Sequence, residues 1–259
     1  MAEGFTILWP ALLAGLLVLS THVPLGRVVL ARGIIFIDIA IAQIAGLGVI
    51  AAHSAGWESD GWGGQAAAGL AALGAAALFN VCEKKWPDVL EALIGIAFVL
   101  ASSGSILLLA GDPHAGEQLK DLLVGQILWV GTEQLIYTAL LYGLILLAWF
   151  GYHKQLGRGG FYLLFAMAVT ASVQMVGVYL VFASLIIPAL AARGFATAYQ
   201  LPAAYATGFA GYVAGLWLSY VYDFPSGAII IWSMAGIALV VLFGRSRSGD
   251  KAQGAIDVT

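Results

Sequence analysis

Long apolar runs separated by short polar segments fill most of this sequence. Seven of the runs are close to the roughly 20 residues that a helix needs to cross a bilayer. They are followed or preceded by charged residues, prolines or glycines, which is typical of the ends of membrane-spanning helices. We therefore predict spans at about residues 7–23, 33–53, 64–81, 89–110, 134–150, 199–222 and 228–244, the first of them closed by Pro24.

An eighth run, residues 161–192, is too long for one crossing. It contains no charged side chain, and as a single helix it would measure roughly 48 Å against a hydrocarbon core of about 30 Å. Gly177 and Pro188 are its weak points, since proline removes a helical hydrogen bond. We predict two short helices joined near Gly177. Freed backbone groups need partners at that depth, so this broken pair is a candidate translocation element that faces protein or water.

Residues 122–131, LLVGQILWVG, form an apolar run that is too short for one crossing. They follow the most polar loop of the chain, GDPHAGEQLKD. A run of about ten residues cannot cross the membrane, so a re-entrant or interfacial segment is predicted.

Composition gives the same class of protein. The chain is 61% hydrophobic and 10% charged, whereas soluble domains carry about 25% charged residues. The predicted fold is all-α, a polytopic membrane bundle of eight or nine transmembrane helices that forms one domain over residues 1–244, with a short polar tail at 245–259. The net charge of −3 without a basic cluster argues against a nucleic-acid partner.

Charge also predicts the orientation. If the long run is a hairpin, nine crossings result and the basic residues share one side, which the positive-inside rule places in the cytoplasm. A single crossing of that run would give eight crossings and place the tail outside, so the hairpin is preferred. The basic residues concerned are Arg27, Arg32, Lys84, Lys85, Lys154, Arg158, Arg193, Arg245 and Arg247, and the acidic ones of the other side are Glu58, Asp60, Asp112, Glu117 and Asp223.

Catalytic motifs are missing from the sequence. It has no HExxH, no GxSxG and no intramembrane acid pair, so an enzyme is not predicted. Without a GxxxxGK[ST] motif the chain cannot hydrolyse ATP, and that step would belong to a separate polypeptide. The single cysteine, Cys82, excludes an internal disulfide and a cysteine-based metal cage.

Asp38 is the most informative candidate, because a carboxylate inside a span is costly and marks an ion or substrate path. The alternative is a carboxylate that hydrogen-bonds across helices or near the headgroups. Gln43 lies about 140° around the helix from Asp38, so the two do not share a face. His22 and His153 are interpreted as interfacial, and His53 borders the outer loop.

The other candidates are weaker. His114, Asp112 and Glu117 carry metal-ligand chemistry in the outer loop, although a solvated loop explains them as well. Five further residues could line a path or simply bond helices together, as serine and glutamine commonly do. They are Ser102, Ser103, Gln126, Gln174 and Met175.

Four segments, in order, resemble the permease subunits of zinc/manganese-type ABC importers: residues 24–49, 91–103, 176–196 and 222–232. The third, VGVYLVFASLIIPALAARGFA, is the most specific. The resemblance implies an integral protein of the bacterial inner membrane that works as a homodimer. It also implies two cytosolic ATPases, an extracytoplasmic metal-binding protein, and a divalent metal as cargo rather than as a bound cofactor.

Two positions depart from the family pattern. Gln43 stands where the family has a histidine, and Asp38 lies one residue before the family's aspartate; an amide is a poorer transition-metal ligand than imidazole. The family's longer cytoplasmic coupling segment is replaced by a short loop, GYHKQLGRGG, at residues 151–160. Coupling would then use another inner loop, such as residues 83–91 or 193–200, or would be lost in a divergent branch. The leading hypothesis is a metal-cation ABC importer permease. The alternatives are a transporter-like or channel-like protein of the same fold without ATPase coupling, and a membrane scaffold for a partner.

Overall fold

The computed structural model describes residues 2–57, 62–109, 120 and 123–256, and every regular element in those ranges is helical. The ranges described contain eight helices in sequence: α1 (Ala2–Arg32), α2 (Ile37–Ser54), α3 (Trp62–Lys85), α4 (Leu90–Leu108), α5 (Thr132–Val176), α6 (Val178–Ala192), α7 (Thr197–Tyr222) and α8 (Ser226–Ile256). Two short 3-10 turns lie at Pro87–Val89 and Ile127–Trp129.

Helix α5 consists of two antiparallel arms that meet at Gly157, where the backbone leaves helical geometry (φ 58°, ψ −157°). The first arm is Thr132–Tyr152 and the second arm is Gly157–Val176. The Tyr142 hydroxyl of the first arm donates to the Ala168 carbonyl of the second at 3.0 Å. The arms therefore fold back on each other, and the segment 151–160, predicted as a loop, is helical apart from this kink.

Seven helical segments in the described chain are long and apolar enough to cross a membrane: Leu8–Arg32, Ile37–Ser54, Trp62–Lys85, Pro87–Leu108, Thr132–Tyr152, Gly157–Val176 and Ser226–Gly244. Helix α6, with 15 residues, is shorter, at roughly 22 Å. This confirms the predicted all-α polytopic membrane bundle.

The centre of the bundle is formed by α1, α2 and the second arm of α5. In each of these three, between 56% and 67% of an apolar stretch of 18 residues is buried, whereas the corresponding share is 22% to 33% in α3, α4, the first arm and α8. Helix α6 packs against α1, α7 and α8, and ten of its 15 residues are buried, so it also belongs to the centre. Since the outer helices expose mostly large apolar side chains, their free surfaces suit lipid or another apolar partner.

The long apolar run breaks at Gly177, as predicted. Gly177 has φ 78° and ψ 163°, a backbone region that glycine alone adopts without strain. The backbone of Gly125 lies directly against it, and a Cβ on either glycine would collide with the other segment. The segment 123–131 forms no spanning helix, as predicted. It inserts at this break with Ile127 buried, which favours the re-entrant over the interfacial alternative.

Both ends of the broken run lie at the same end of the bundle. At its beginning, Phe161 stacks under Arg32, with the guanidinium carbon 4.4 Å from the ring centroid. At its other end, Arg193 lines one cavity together with Arg27 and Arg32. The run therefore crosses the bundle and returns to the end at which it began. We call this end, marked by Arg27, Arg32 and Arg193, the basic end of the bundle. Glu83, which pairs with Arg32 at 3.7 Å, places α3 there too.

The predicted end of the first span at Pro24 is wrong, because α1 continues through Pro24 to Arg32. Proline lacks the N–H that would bond to the carbonyl of Ser20. In this structure the Tyr205 hydroxyl of α7 donates to that carbonyl at 3.0 Å. A neighbouring helix thus replaces the missing donor, which is how membrane helices tolerate internal proline.

Candidate functional site

Asp38 lies in the first turn of α2 and is 1% exposed. Its Oδ1 accepts a hydrogen bond from the Ile39 N–H at 2.7 Å. Its Oδ2 is buried and has no hydrogen-bond partner among the residues that the structure describes. A buried carboxylate oxygen without a partner is costly. Asp38 is therefore better explained as a group that binds a cation, a proton or a passing solute than as one that bonds helices together.

Gln43 points elsewhere. Its Oε1 accepts a hydrogen bond from the Ser102 hydroxyl of α4 at 3.2 Å, and it is buried. This bond ties α2 to α4 in the way expected of polar groups between membrane helices. Asp38 lies about 140° around α2 from Gln43 and makes its one hydrogen bond within α2. The structure therefore does not bring Asp38 and Gln43 together.

Ser103, one residue along α4, is exposed and donates to the carbonyls of Val99 and Leu100 within its own helix. It faces the outside of this chain. If Ser103 lines a path, a second chain must form the other wall.

Three of the predicted path residues meet in one cavity of about 820 Å³ at the end of the bundle opposite the basic end. They are Gln126 of the inserted segment and Gln174 and Met175 at the end of the second arm. The cavity is also lined by Gln65, Glu133, Gln134 and Thr138, which the sequence did not single out. The Gln134 side chain donates to the Gln174 carbonyl at 3.4 Å.

Helix α2 connects this cavity with Asp38. Val49 lines the cavity, and from the helix repeat Asp38 lies about 16 Å deeper and within about 20° of the same face. Ala42 and Ala45 lie between them and are buried. A stripe of small side chains thus runs from the polar cavity to the buried carboxylate.

His22 is not interfacial, contrary to the interpretation from sequence. It is completely buried between α1 and the second arm, and its Nε2 lies 3.2 Å from the Ser172 hydroxyl. The Tyr142 hydroxyl also bonds Ser172. The clue in the sequence was the pair of polar residues Thr21 and His22 inside an apolar run, together with Ser172 inside another. Their convergence depends on how the two helices pack.

The outer-loop candidates Asp112, His114 and Glu117 lie outside the described residues, as does the side chain of His153. His53 is exposed at the end of α2. Over the described ranges, no three His, Cys, Asp or Glu side chains come together to hold a metal ion.

A polytopic helix bundle with a broken central helix pair, a polar cavity at one end and a buried carboxylate below it defines a membrane transport subunit. Comparison with known proteins gives the family. The chain belongs to the ABC 3 transport family, whose model matches residues 4–159 and 155–245. It is an integral protein of the bacterial inner membrane. The two matched ranges meet at residues 155–159, around the kink at Gly157.

One curated relative is the manganese transport system membrane protein MntC of Halalkalibacterium halodurans, 29% identical over 61% of this chain. The matched part spans 62% of that relative's length.

Two solved structures share the fold. PsaBC from Streptococcus pneumoniae, in complex with a Fab, has a TM-score of 0.74, with 22% identity and 93% of each chain covered. An inward-facing transporter described as of the metal-chelate ABC type has a TM-score of 0.63, with 20% identity, 91% of this chain and 85% of the other covered. At these identities the likeness concerns the fold.

Proposed function

We propose that this chain is the permease subunit of an ABC importer for a divalent metal cation such as manganese or zinc. The observation that carries the proposal is the family match over nearly the whole membrane domain. The relative named as a manganese transport protein supports the class of cargo. In this proposal the metal is the substrate rather than a resident cofactor.

The route in this proposal begins at the polar cavity of Gln126, Gln174 and Met175 and follows α2 to Asp38. Amide and thioether groups bind a hydrated cation weakly, which suits entry and release, whereas Asp38 offers a buried carboxylate oxygen in the first turn of α2, at the other end of the route. Because Asp38 provides a single free oxygen, the remaining ligands would come from water or from a second copy. A homodimer is therefore part of the proposal.

Three other partners complete the proposed transporter. A separate ATPase subunit acts from the cytoplasm, an extracytoplasmic metal-binding protein delivers the cation at the opposite end, and lipid surrounds the bundle. The basic end, with Arg27, Arg32 and Arg193, is assigned to the cytoplasm by the positive-inside rule.

One observation favours the alternative of a transporter-like or channel-like protein without ATPase coupling. The connection between the two arms of α5 is a helical turn at Gly157, in the place where the family has a longer coupling segment. Affinity purification of the tagged chain with its cytosolic ATPase after gentle extraction separates the two: recovery of the ATPase supports the importer, and its repeated loss supports the alternative.

The test of the route is Asp38→Asn, which removes the charge and keeps the size. A hydrogen bond to a charged group contributes about 1.5–3 kcal/mol of binding free energy. Cellular uptake of radioactive Mn²⁺ should therefore fall about tenfold or more, with membrane insertion unchanged. Asp223→Asn is the matched control, since Asp223 lies exposed in a turn with φ 54°, where asparagine is also accepted. Uptake by Asp38→Asn at the wild-type rate would remove Asp38 from the route.

A further inference from the structure

A groove runs along the outside of the bundle between α1, the first arm of α5 and α7. Its deep part, about 470 Å³, is lined by Leu16, Leu19, Leu146 and Phe209 with few polar atoms. Its other part, about 790 Å³, lies at the basic end. Phe150 lines both parts, so they adjoin and form one groove.

The three helices each contribute a continuous stripe. On α1 the stripe is Leu16, Ser20 and Arg27, which lie within about 40° of one face. On α7, Leu201 and Tyr205 are one turn apart. Arg27 lies about 16 Å along the helix from Leu16, and that is roughly half of a hydrocarbon core of about 30 Å. The groove therefore has the depth of one leaflet.

Two hydrogen bonds form the floor of the groove and hold α7 against α1. Tyr205 donates to the Ser20 carbonyl at 3.0 Å, and Arg27 Nη2 donates to Gln200 Oε1 at 2.8 Å. On the open side, Leu16, Phe150 and Phe209 are 38%, 59% and 45% exposed. The groove is thus a preformed surface that opens toward the lipid phase.

Charge at the head of the groove has one sign. Arg27, Arg32 and Arg193 line it, and among its described lining residues none is acidic. Arg32 already pairs with Glu83 outside the groove. Arg27 uses one of its five donors on Gln200, and the exposed Arg193 supplies a second guanidinium. Guanidinium groups bind phosphate through paired hydrogen bonds.

The geometry points to a binding site for one anionic phospholipid of the leaflet at the basic end, with its phosphate between Arg27 and Arg193 and an acyl chain along Leu16 and Phe209. A basic pocket between helices at the cytoplasmic interface is the type of surface that holds anionic headgroups. A cytosolic protein could reach the arginines but not the apolar half, and the continuity of the two halves favours a lipid.

The test uses the full chain in detergent, incubated with equal amounts of phosphatidylglycerol and phosphatidylcholine and examined by native mass spectrometry. The wild type should retain phosphatidylglycerol in preference to phosphatidylcholine. Each arginine should contribute about fivefold, so the double variant Arg27→Gln, Arg193→Gln should lose about 25-fold. Lys84→Gln is the control, an exposed lysine of α3 that does not line the groove. Excess inorganic phosphate should not displace the lipid.

A second variant tests the apolar half. Ala206 is exposed and lines the deep part, so Ala206→Trp should block retention of both lipids. Val213→Trp, on the exposed surface of α7 outside the groove, should not. Size-exclusion profile and helical circular dichroism establish that the variants fold.

Three results would overturn the inference. The first is undiminished phosphatidylglycerol retention by the double arginine variant, and the second is an equal loss in Lys84→Gln. The third is disulfide cross-linking between Phe209→Cys residues of two copies, because it would mean that a second chain covers the groove.

Discussion

Replacement of Gly177 by alanine tests the break on which the transport proposal depends. An alanine Cβ there would lie 2.5 Å from the carbonyl carbon of Val124 and 2.8 Å from Gly125 Cα. Both are backbone atoms, which cannot rotate away as a side chain can. The residue would also have to keep φ 78° and ψ 163°.

The two effects have known sizes. Holding a non-glycine residue in this backbone region costs about 1–3 kcal/mol, and overpacking costs about 1–3 kcal/mol. Gly177→Ala should therefore destabilise the fold by about 2–6 kcal/mol, a large share of the roughly 5–15 kcal/mol of a typical domain. Gly236→Ala is the control. It has open space around its Cβ position in the interior of α8, where alanine should stabilise the helix by about 0.5–1 kcal/mol.

Equilibrium unfolding in mixed micelles measures both variants, with metal uptake as a second readout. The two substitutions should shift the unfolding midpoint in opposite directions. If Gly177→Ala matched Gly236→Ala in midpoint and uptake, the segments 123–131 and 176–178 could not be in backbone contact, and the assigned break would be refuted.

Two further predictions concern α1 and the orientation. Tyr205→Phe should cost about 1–3 kcal/mol in the same unfolding measurement, because the partly buried Ser20 carbonyl loses its donor. Tyr199→Phe, at an exposed position, should change little, and equal effects would contradict the role of this bond. Lys84→Cys should react with a membrane-impermeant maleimide only in inside-out vesicles and Asp223→Cys only in intact spheroplasts, and the reverse pattern would invert the assigned orientation.

Length and backbone chemistry predicted much of the fold. A charge-free run longer than the bilayer had to break, and Gly177 was its most permissive residue. The end of α1 could not be found in this way, because proline ends a helix only when the freed carbonyl finds no other donor. That donor, Tyr205, is 185 positions away from Ser20 in the chain, and no local pattern indicates it.

The candidate site was also predictable only in part from the sequence. Helix periodicity alone predicted that Asp38 and Gln43 point in different directions. The bond between Gln43 and Ser102, the free Oδ2 of Asp38 and the burial of His22 depend on which helices become neighbours. Residue type marked these positions as unusual in an apolar span, but only packing decides whether each one has a partner.

The kink at Gly157 also bears on how force could enter the molecule. Both arms of α5 are helical up to this turn, so the chain has little slack there to absorb a push. A partner that displaced this turn would therefore move both arms of α5 with it. The far end of the second arm is Val176, in contact with the inserted segment at Gly125. Motion applied at one membrane face would therefore reach the mouth of the cavity at the other face.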